Sequence, residues 1–152
     1  MKRIILCLTA LLLLFVACEK NCLEKKPKDV KPIDWENYND VYTAFWNTYS
    51  TISESSRIEG KDIMVYGWVL PNYSAHGFTL VTETHGSDKP VRLAGKPHFQ
   101  VYCGSKEKLD TCDLTQKCYI KGKLAFNRIK AGSCSVAVPE IKIEDIDNFY
   151  FD

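Results

Sequence analysis

The hydrophobic pattern divides the chain into three parts. An apolar run over residues 4–16 follows the basic pair Lys2-Arg3. This run is too short to span a bilayer stably, but it has the length of the core of an export signal. Residues 19–33 are charged and contain proline, which is typical of a flexible tether. From residue 34 the apolar positions recur at helical spacing and then in alternation, which predicts one folded domain over residues 34–152.

The first part of this domain has apolar and aromatic residues at the spacing of one helical face: Trp35, Tyr38, Val41, Tyr42, Phe45, Trp46 and Tyr49. Asp34 is a suitable N-cap, and Ile33 would pack on Tyr38 as a hydrophobic staple. We therefore predict one amphipathic helix that begins after Asp34 and ends before residues 50–56. We expect its aromatic face to pack on the sheet that follows. The alternative, that this face lies on lipid, is disfavoured by its acidic, Asn-rich polar side.

From Gly60 the pattern changes to a period of two, which is typical of β-strands. Five strands are predicted, over residues 63–70, 78–82, 99–103, 119–126 and 136–143. Residues 127–132 are predicted as a hairpin loop, and Pro139 as a bulge or bend. No crossover helix separates the strands, so the predicted fold class is all-β, and a small barrel would remove exposed edges. The predicted core residues are Ile63, Val65, Val69, Leu80, Val101, Ile120, Leu124, Val138 and Ile141.

Composition and charge narrow the possible partners. The chain has 152 residues, 20 of them Lys or Arg and 19 of them Asp or Glu. Removal of residues 1–17 takes away Lys2 and Arg3 and no acid, so the remaining chain has a formal charge of −1. Non-specific nucleic-acid binding depends on a surplus of positive charge, so we expect no nucleic-acid partner of that kind.

The cysteines favour an oxidising compartment. Of seven cysteines, four lie in the last third of the chain: Cys103, Cys112, Cys118 and Cys134. In an exported domain they are candidates for disulfides, Cys103 with Cys112 and Cys118 with Cys134, although spacing alone leaves the connectivity open. The alternative is a zinc site that uses His98. The chain has no Cys-x-x-Cys pair, so we predict no metal site.

The end of the apolar run carries a second signal. The stretch Phe15-Val16-Ala17-Cys18 resembles the lipobox of bacterial lipoproteins, with Phe15 in place of the usual Leu. The resemblance implies that residues 1–17 are a signal peptide, that Cys18 carries the lipid (palmitate among its acyl chains), and that residues 18–33 form the tether. The implied location is the cell envelope, at the periplasmic or outer-membrane face. The alternatives are an ordinary secretory signal cut after Ala17 and an uncleaved anchor.

Two segments of the domain resemble a known barrel family. Glu59-Gly60-Lys61-Asp62-Ile63-Met64-Val65-Tyr66-Gly67-Trp68-Val69 looks like the first strand of OB-fold proteins, especially the tRNA anti-like bacterial group. Cys118-Tyr119-Ile120-Lys121-Gly122-Lys123-Leu124 resembles their fourth strand. The resemblance implies a five-stranded OB-fold Greek-key barrel preceded by one N-terminal amphipathic helix, with Gly67 and Gly122 at its bends.

OB folds usually bind ligands across the outer faces of their second and third strands. The residues expected on the outer faces here are Tyr66, Trp68, His98, Gln100, Tyr102, Tyr119, Lys121 and Lys123. Aromatic rings interleaved with lysines suit the stacking of sugars or of single-stranded nucleic acids. We expect the N-terminal helix to cover part of this face, because a helix that packs on the sheet needs an aromatic surface to contact. An open binding face is the alternative.

No motif of a known enzyme class is present: the chain has no Gly-x-Ser-x-Gly, no His-Glu-x-x-His and no Gly-rich phosphate loop. We therefore expect a monomeric, non-catalytic binding module without a cofactor, held at the membrane by its lipid. Its expected partner is another envelope protein or a small polar or saccharide ligand. The alternatives are a single-stranded nucleic-acid-binding module and a hydrolase with an unrecognised site.

Overall fold

A computed structural model describes residues 23–70, 77–83, 93, 96–103, 117–131, 134–144 and 149–151 of the chain. Cys18 and Cys112 lie outside these residues, so the predictions made for them stay predictions. Within the described residues, no helix has the length and apolar character needed to cross a membrane.

Two short helices occur in the described part of the chain, α1 (Val41–Thr48) and α2 (Ile52–Ser55). The N-cap of α1 is Asp40, whose carboxylate accepts from the backbone N–H of Thr43. A capping box formed by Thr51 and Glu54 starts α2. The helix predicted to begin after Asp34 therefore begins six residues later, with Asp40 in place of Asp34 as its N-cap, and the hydrophobic staple of Ile33 on Tyr38 was wrong.

A buried amide explains why residues 34–39 are not helical. The side chain of Asn39 is 7% exposed, and its Nδ2 donates to the carbonyl of Asp34 at 2.6 Å and to that of Asn37 at 3.0 Å. The backbone N–H of Asp34 donates back to Oδ1 of Asn39 at 2.9 Å. The Asp34 carboxylate accepts from the backbone N–H of Glu36, as in an Asx turn. These bonds satisfy the backbone groups that an α-helix would otherwise pair.

The described part of the predicted tether, residues 23–33, packs against the folded domain. Nδ2 of Asn47 in α1 donates to the carbonyl of Lys31 at 2.7 Å, and Nζ of Lys26 donates to Oδ1 of Asn47 at 2.6 Å. Val30 and Ile33 are partly buried against the core. From residue 23, therefore, the chain lies along α1, and only residues 18–22 remain candidates for a tether.

The fold is all-β, as predicted. Eight strands occur among the described residues: β1 (Asn39–Asp40), β2 (Ser50–Thr51), β3 (Asp62–Val69), β4 (Gly77–Val81), β5 (His98–Cys103), β6 (Lys117–Ala131), β7 (Cys134–Ile143) and β8 (Phe149–Phe151). The five longest coincide with the five predicted strands. The three short strands were not predicted, and β6 runs through most of the predicted hairpin loop, so that assignment was wrong.

The strand pairings form a closed cycle. β3 pairs antiparallel with β4 and with β6, β4 pairs antiparallel with β5, and β6 pairs antiparallel with β7. The cycle is completed by the parallel pairing of β5 with β7. β1 runs parallel to β3, β2 pairs with β7, and β8 pairs with β6.

Pro139 does not form the predicted bulge, because the register of β6 with β7 is continuous from Lys123↔Lys142 to Ala131↔Cys134. On its other edge, β7 pairs with β2 at residues 136–137 and with β5 at residues 140–143. Pro139 falls between these two segments, where a missing N–H breaks no ladder hydrogen bond.

The core lies inside this cycle of strands, and α1 packs on it. Eight of the nine predicted core residues are buried, and Val138 is partly buried. Val41, Phe45 and Trp46 of α1 join the same cluster, which confirms that the helix packs on the sheet. Side chains such as Val65 and Leu80 are 0% exposed, and each contributes roughly 1.5–3 kcal/mol by burial.

Candidate functional site

Three tyrosines lie side by side on the outer surface of the sheet. Tyr66 on β3 is the register partner of Tyr119 on β6, which is in turn the partner of Tyr150 on β8. The ring centroids of Tyr66 and Tyr119 are 5.4 Å apart, and those of Tyr119 and Tyr150 are 5.0 Å apart with parallel planes. We call these three residues the tyrosine row.

Two further residues enclose the tyrosine row. The ring of Tyr38 meets Tyr119 edge-on at 5.4 Å and Tyr150 at 6.0 Å. Burial, reinforced by a hydrogen bond with Tyr150, raises the pKa of Tyr38 to about 12. The ammonium group of Lys117 lies 4.5 Å from the ring centroid of Tyr66, a cation–π contact. One ring face of Tyr66 is therefore already paired with a cation.

A groove begins beside Tyr66. A cavity of about 150 Å³ is lined by Asp40, Val41, Tyr66, Gly67, Trp68, Thr82 and Lys117. A larger cavity of about 490 Å³ is lined by Asp40, Tyr42, Thr82, Glu83, Lys96 and Pro97. The two cavities share Asp40 and Thr82, so together they form one depression between the start of α1 and the ends of β3 and β4. We call it the Asp40 groove.

The Asp40 groove has mixed chemistry. Its described lining includes the aromatic side chains of Tyr42, Tyr66 and Trp68. It also includes two carboxylates, from Asp40 and Glu83, and two ammonium groups, from Lys96 and Lys117. The charges therefore balance, and the groove offers donors and acceptors beside flat apolar surfaces.

Asp40 has a structural role in this groove. Its Oδ1 accepts from the backbone N–H of Thr43 at 2.9 Å, and its Oδ2 accepts from the Thr43 hydroxyl at 2.8 Å. Because both oxygens hold the first turn of α1, the carboxylate is poorly placed to act as a general acid or base. It can still accept a hydrogen bond from a ligand through its remaining lone pairs.

Three of the predicted binding residues come together here. Tyr66 and Trp68 line the groove, and the ring of Tyr119 lies beside that of Tyr66 at an interplanar angle of 31°. Tyr66 and Trp68 are half-buried and project from the face of β3 opposite Gly67. Val41 of α1 packs over Gly67. The helix therefore packs on the core side of β3 and leaves this aromatic surface uncovered.

The predicted residues of β5 lie elsewhere. The ring of His98 stacks on Phe45 of α1 at 6.2 Å, and its Nδ1 lies 2.8 Å from the carbonyl oxygen of Lys96. The hydroxyl of Tyr102 donates to a carboxylate oxygen of Glu140 at 3.4 Å. Gln100 forms hydrogen bonds with β4, accepting from the hydroxyl of Thr79 and donating to the carbonyl of Phe78.

The two predicted lysines of β6 also lie away from the groove. Lys121 is paired with Met64 in the register, and Lys123 with Asp62. The ammonium group of Lys123 is 2.9 Å from the Asp62 carboxylate, a hydrogen-bonded ion pair that lowers the pKa of Asp62 and raises that of Lys123. Lys123 is four residues along β6 from Tyr119, about 13 Å in a strand. These lysines do not contribute to the Asp40 groove.

Several site residues were missed from sequence. Tyr38 was placed on the helix, and Lys117 and Tyr150 fell outside the predicted strands. A Tyr flanked by two Phe residues at positions 149–151 is the alternating aromatic signal that would have identified β8. Asp40 and Lys96 carry no motif, because only the fold brings them together.

The register tests one of the two proposed disulfides. Cys134 is paired with Ala131, which lies thirteen residues along β6 from Cys118. Thirteen residues of strand span about 43 Å, whereas the two Cα atoms of a disulfide lie within about 7 Å. The proposed pairing of Cys118 with Cys134 was therefore wrong. Cys103 and Cys118 are both buried, and the pairing of Cys103 with Cys112 stays a prediction.

Comparisons with known proteins give no family. No family model matches the chain, and no curated protein matches it. One solved structure, a DUF3299 family protein from Pseudomonas aeruginosa PAO1, is similar at 14% identity with a TM-score of 0.38. The match covers 59% of this chain and 61% of that protein, so the chain spans about three-fifths of its length. A similarity at this level assigns neither a family nor a function.

Proposed function

We propose that this chain is a lipid-anchored binding module of the cell envelope, and that it holds a small polar ligand of the saccharide type in the Asp40 groove. The module is a monomer and performs no chemical conversion. The observation that carries the proposal is a groove in which the aromatic side chains of Tyr42, Tyr66 and Trp68 lie beside charges of both signs.

An OB-type barrel is the architecture we propose for this module. The resemblance of residues 59–69 and 118–124 to OB-fold strands supports it. So does the closed cycle of the five longest strands, in which β5 is followed by β7 and then β6 instead of by β6 and then β7. This order is expected of a five-stranded Greek-key barrel.

The chemistry of the groove favours a sugar over a polyphosphate chain. A sugar ring presents an apolar face that packs on an aromatic side chain, and hydroxyl groups that bind carboxylates and ammonium groups. A single-stranded nucleic acid needs a continuous positive track, and the carboxylates of Asp40 and Glu83 interrupt it. The engagement of both Asp40 oxygens by Thr43 supports binding without catalysis.

Titration of tryptophan fluorescence tests the binding site, because Trp68 lines the groove. The probes are neutral and acidic oligosaccharides, with chitotriose and maltotriose among them, and the variants are Tyr66→Ala and Tyr102→Ala. Tyr102 is an exposed aromatic on β5 and serves as the matched control. We expect a saturable signal for the wild type. Tyr66→Ala should lower the affinity about 5- to 150-fold, because it removes one stacking contact, and Tyr102→Ala should leave the affinity unchanged.

Two results would contradict the binding proposal. Equal effects of Tyr66→Ala and Tyr102→Ala would move the site away from the groove. Absence of a saturable signal across the oligosaccharide series, together with steep salt-dependent binding of a single-stranded oligonucleotide, would favour the nucleic-acid alternative.

The anchor is tested separately by metabolic labelling with palmitate. Cys18→Ala is expected to abolish the label, whereas Cys22→Ala, four residues away, is expected to retain it. Retention of the label in Cys18→Ala would show that the lipid, if present, is attached at another residue.

A further inference from the structure

We propose that the projecting end of the β6–β7 hairpin is a membrane-contact surface, which rests on an anionic phospholipid bilayer beside the lipid anchor. The surface consists of residues 127–130 of β6, and we call it the arm. The inference rests on the acylation of Cys18 proposed above, and it adds the orientation of the domain on the membrane.

The arm extends beyond the cycle of strands. β6 pairs with β3 only over residues 117–123. The last backbone hydrogen bonds on this edge of β6 join Leu124 to Lys61 and Gly60. Further along, the described partner of β6 is β7 alone. All four residues of the arm are exposed: Asn127, Arg128, Ile129 and Lys130.

The arm combines an apolar side chain with two basic ones. Ile129 is 44% exposed, which is unusual for an aliphatic residue of this fold. The neighbouring side chains of Arg128 and Lys130 carry positive charge. One acidic group, Glu59, lies 3.8 Å from the guanidinium of Arg128. Because both members of that pair are well exposed, the ion pair is weak, and Arg128 remains available to a phosphate group.

The lipid-bearing end of the chain reaches this side of the domain. The backbone N–H of Glu24 donates to the hydroxyl of Tyr49, the C-cap residue that follows α1. Tyr49 is followed directly by Ser50, whose register partner on β7 is Ala137, and Ala137 is paired with Arg128. Two strand spacings, about 10 Å, therefore separate the backbone of Ser50 from that of Arg128.

The covalent chain limits how far the lipid can be from the arm. Cys18 is five residues from Leu23, the first described residue, and five residues reach at most ~18 Å. The described segment next to it is also basic, since Lys25, Lys26, Lys28 and Lys31 outnumber Glu24 and Asp29. Chain length and charge thus both favour an anionic bilayer as the surface that contacts the arm.

Quenching of a tryptophan in the arm tests this contact. The full-length lipoprotein with Ile129→Trp is reconstituted into vesicles of phosphatidylglycerol and brominated phosphatidylcholine, whose bromine atoms quench nearby indoles. Lys121→Trp is the matched control: it is exposed on the same strand, eight residues or about 26 Å away. The fluorescence of the three native tryptophans is subtracted with the wild-type protein.

We expect strong quenching of the tryptophan at position 129 and none of that at position 121. Each basic residue near an anionic surface strengthens contact roughly fivefold, so Arg128→Glu with Lys130→Glu should lower arm contact by roughly 30-fold or more. The same reversal at Lys121 and Lys142 should leave the quenching unchanged.

The possible outcomes separate the two proposals. If the mass of the protein shows an acylated Cys18 and the tryptophan at position 129 is not quenched, the arm proposal is overturned and the anchor stands. Shielding of position 129 that depends on protein concentration would mean that a second copy covers the arm, which also overturns it. An unmodified Cys18 overturns both.

Discussion

The contact between α1 and Gly67 offers a sharp test of how the helix closes over the core beside the groove. A Cβ atom at Gly67 would lie 2.6 Å from Cγ2 of Val41, 2.6 Å from the carbonyl oxygen of Val81 and 3.2 Å from Cγ of Leu80. Carbon atoms in contact prefer separations of about 3.5–4.0 Å, so α1 or β4 would have to move by about 1 Å. Val41 and Leu80 are fully buried and cannot turn away into solvent.

We therefore expect Gly67→Ala to lower the free energy of unfolding by about 1–3 kcal/mol, the cost of overpacking a core. The reduced entropy of the unfolded chain offsets about 0.4–1 kcal/mol of this strain. Urea unfolding followed by tryptophan fluorescence measures the change. The helix would also shift at the edge of the Asp40 groove, since Gly67 and Val41 both line it.

A double-mutant cycle assigns the strain to α1. Because Val41→Ala removes Cγ2, it should relieve part of the clash, and the double variant should be more stable than the sum of the single effects by about 0.5–3 kcal/mol. Gly122→Ala is the matched control, since its Cβ would meet Ile141 and the carbonyl of Lys142 instead. It should combine additively with Val41→Ala, within about 0.5 kcal/mol. Additivity for Gly67 and Val41, or an unaffected stability of Gly67→Ala, would refute the described packing of α1.

Three further predictions follow from single contacts. Burial raises the pKa of the Glu140 carboxyl above its usual value of 4.5, so the wild type loses stability as pH rises from 4.5 through the raised pKa. Glu140→Gln stays neutral and should therefore be more stable than the wild type at neutral pH, and should lose this advantage below pH 4.5. Unfolding midpoints measured across this pH range test the prediction. Burial raises the pKa of Tyr38 to about 12 from 10.0, so wild-type stability should fall as pH rises between these values. Because the pKa values of Tyr42, Tyr49 and Tyr102 are raised as well, Tyr38→Phe should reduce this dependence in alkaline unfolding experiments without abolishing it. Asn39→Ala should cost about 1–3 kcal/mol in urea unfolding, because it removes two part-buried hydrogen bonds with the backbone of Asp34 that are each worth about 0.5–1.5 kcal/mol. Exposed Asn37→Ala should cost less than about 0.5 kcal/mol.

The long strands and the core were predictable from sequence because a period of two persists wherever one face of a strand is buried. The start of α1 was not, since Trp35 and Tyr38 fit a helical period equally well. The non-helical structure of residues 34–39 depends on Asn39, whose backbone pairs with Val65, twenty-six residues further along the chain. The length of β6 was hidden because residues 127–130 are exposed and polar at three of four positions, which is also the pattern of a loop.

The candidate site was predictable only in part. Tyr66 and Tyr119 share a face because each lies in a strand with clear alternation, and their pairing follows from the antiparallel register. The groove itself is formed by separate segments that include Asp40, Thr82 and Lys96. They are brought together by the pairing of β1 with β3, of β3 with β4 and of β4 with β5. Residues of the predicted outer face also contact different elements: the ring of His98 stacks on Phe45 of α1, whereas Lys123 pairs with Asp62 of β3.

The most direct test of the central claim is the intact mass of the protein isolated from membranes of its native host. We predict a chain that begins at Cys18, lacks residues 1–17 and carries the added mass of acyl groups on that cysteine. A chain that retains Met1, or one that begins at an unacylated Cys18, would contradict the anchor and with it the orientation proposed for the arm.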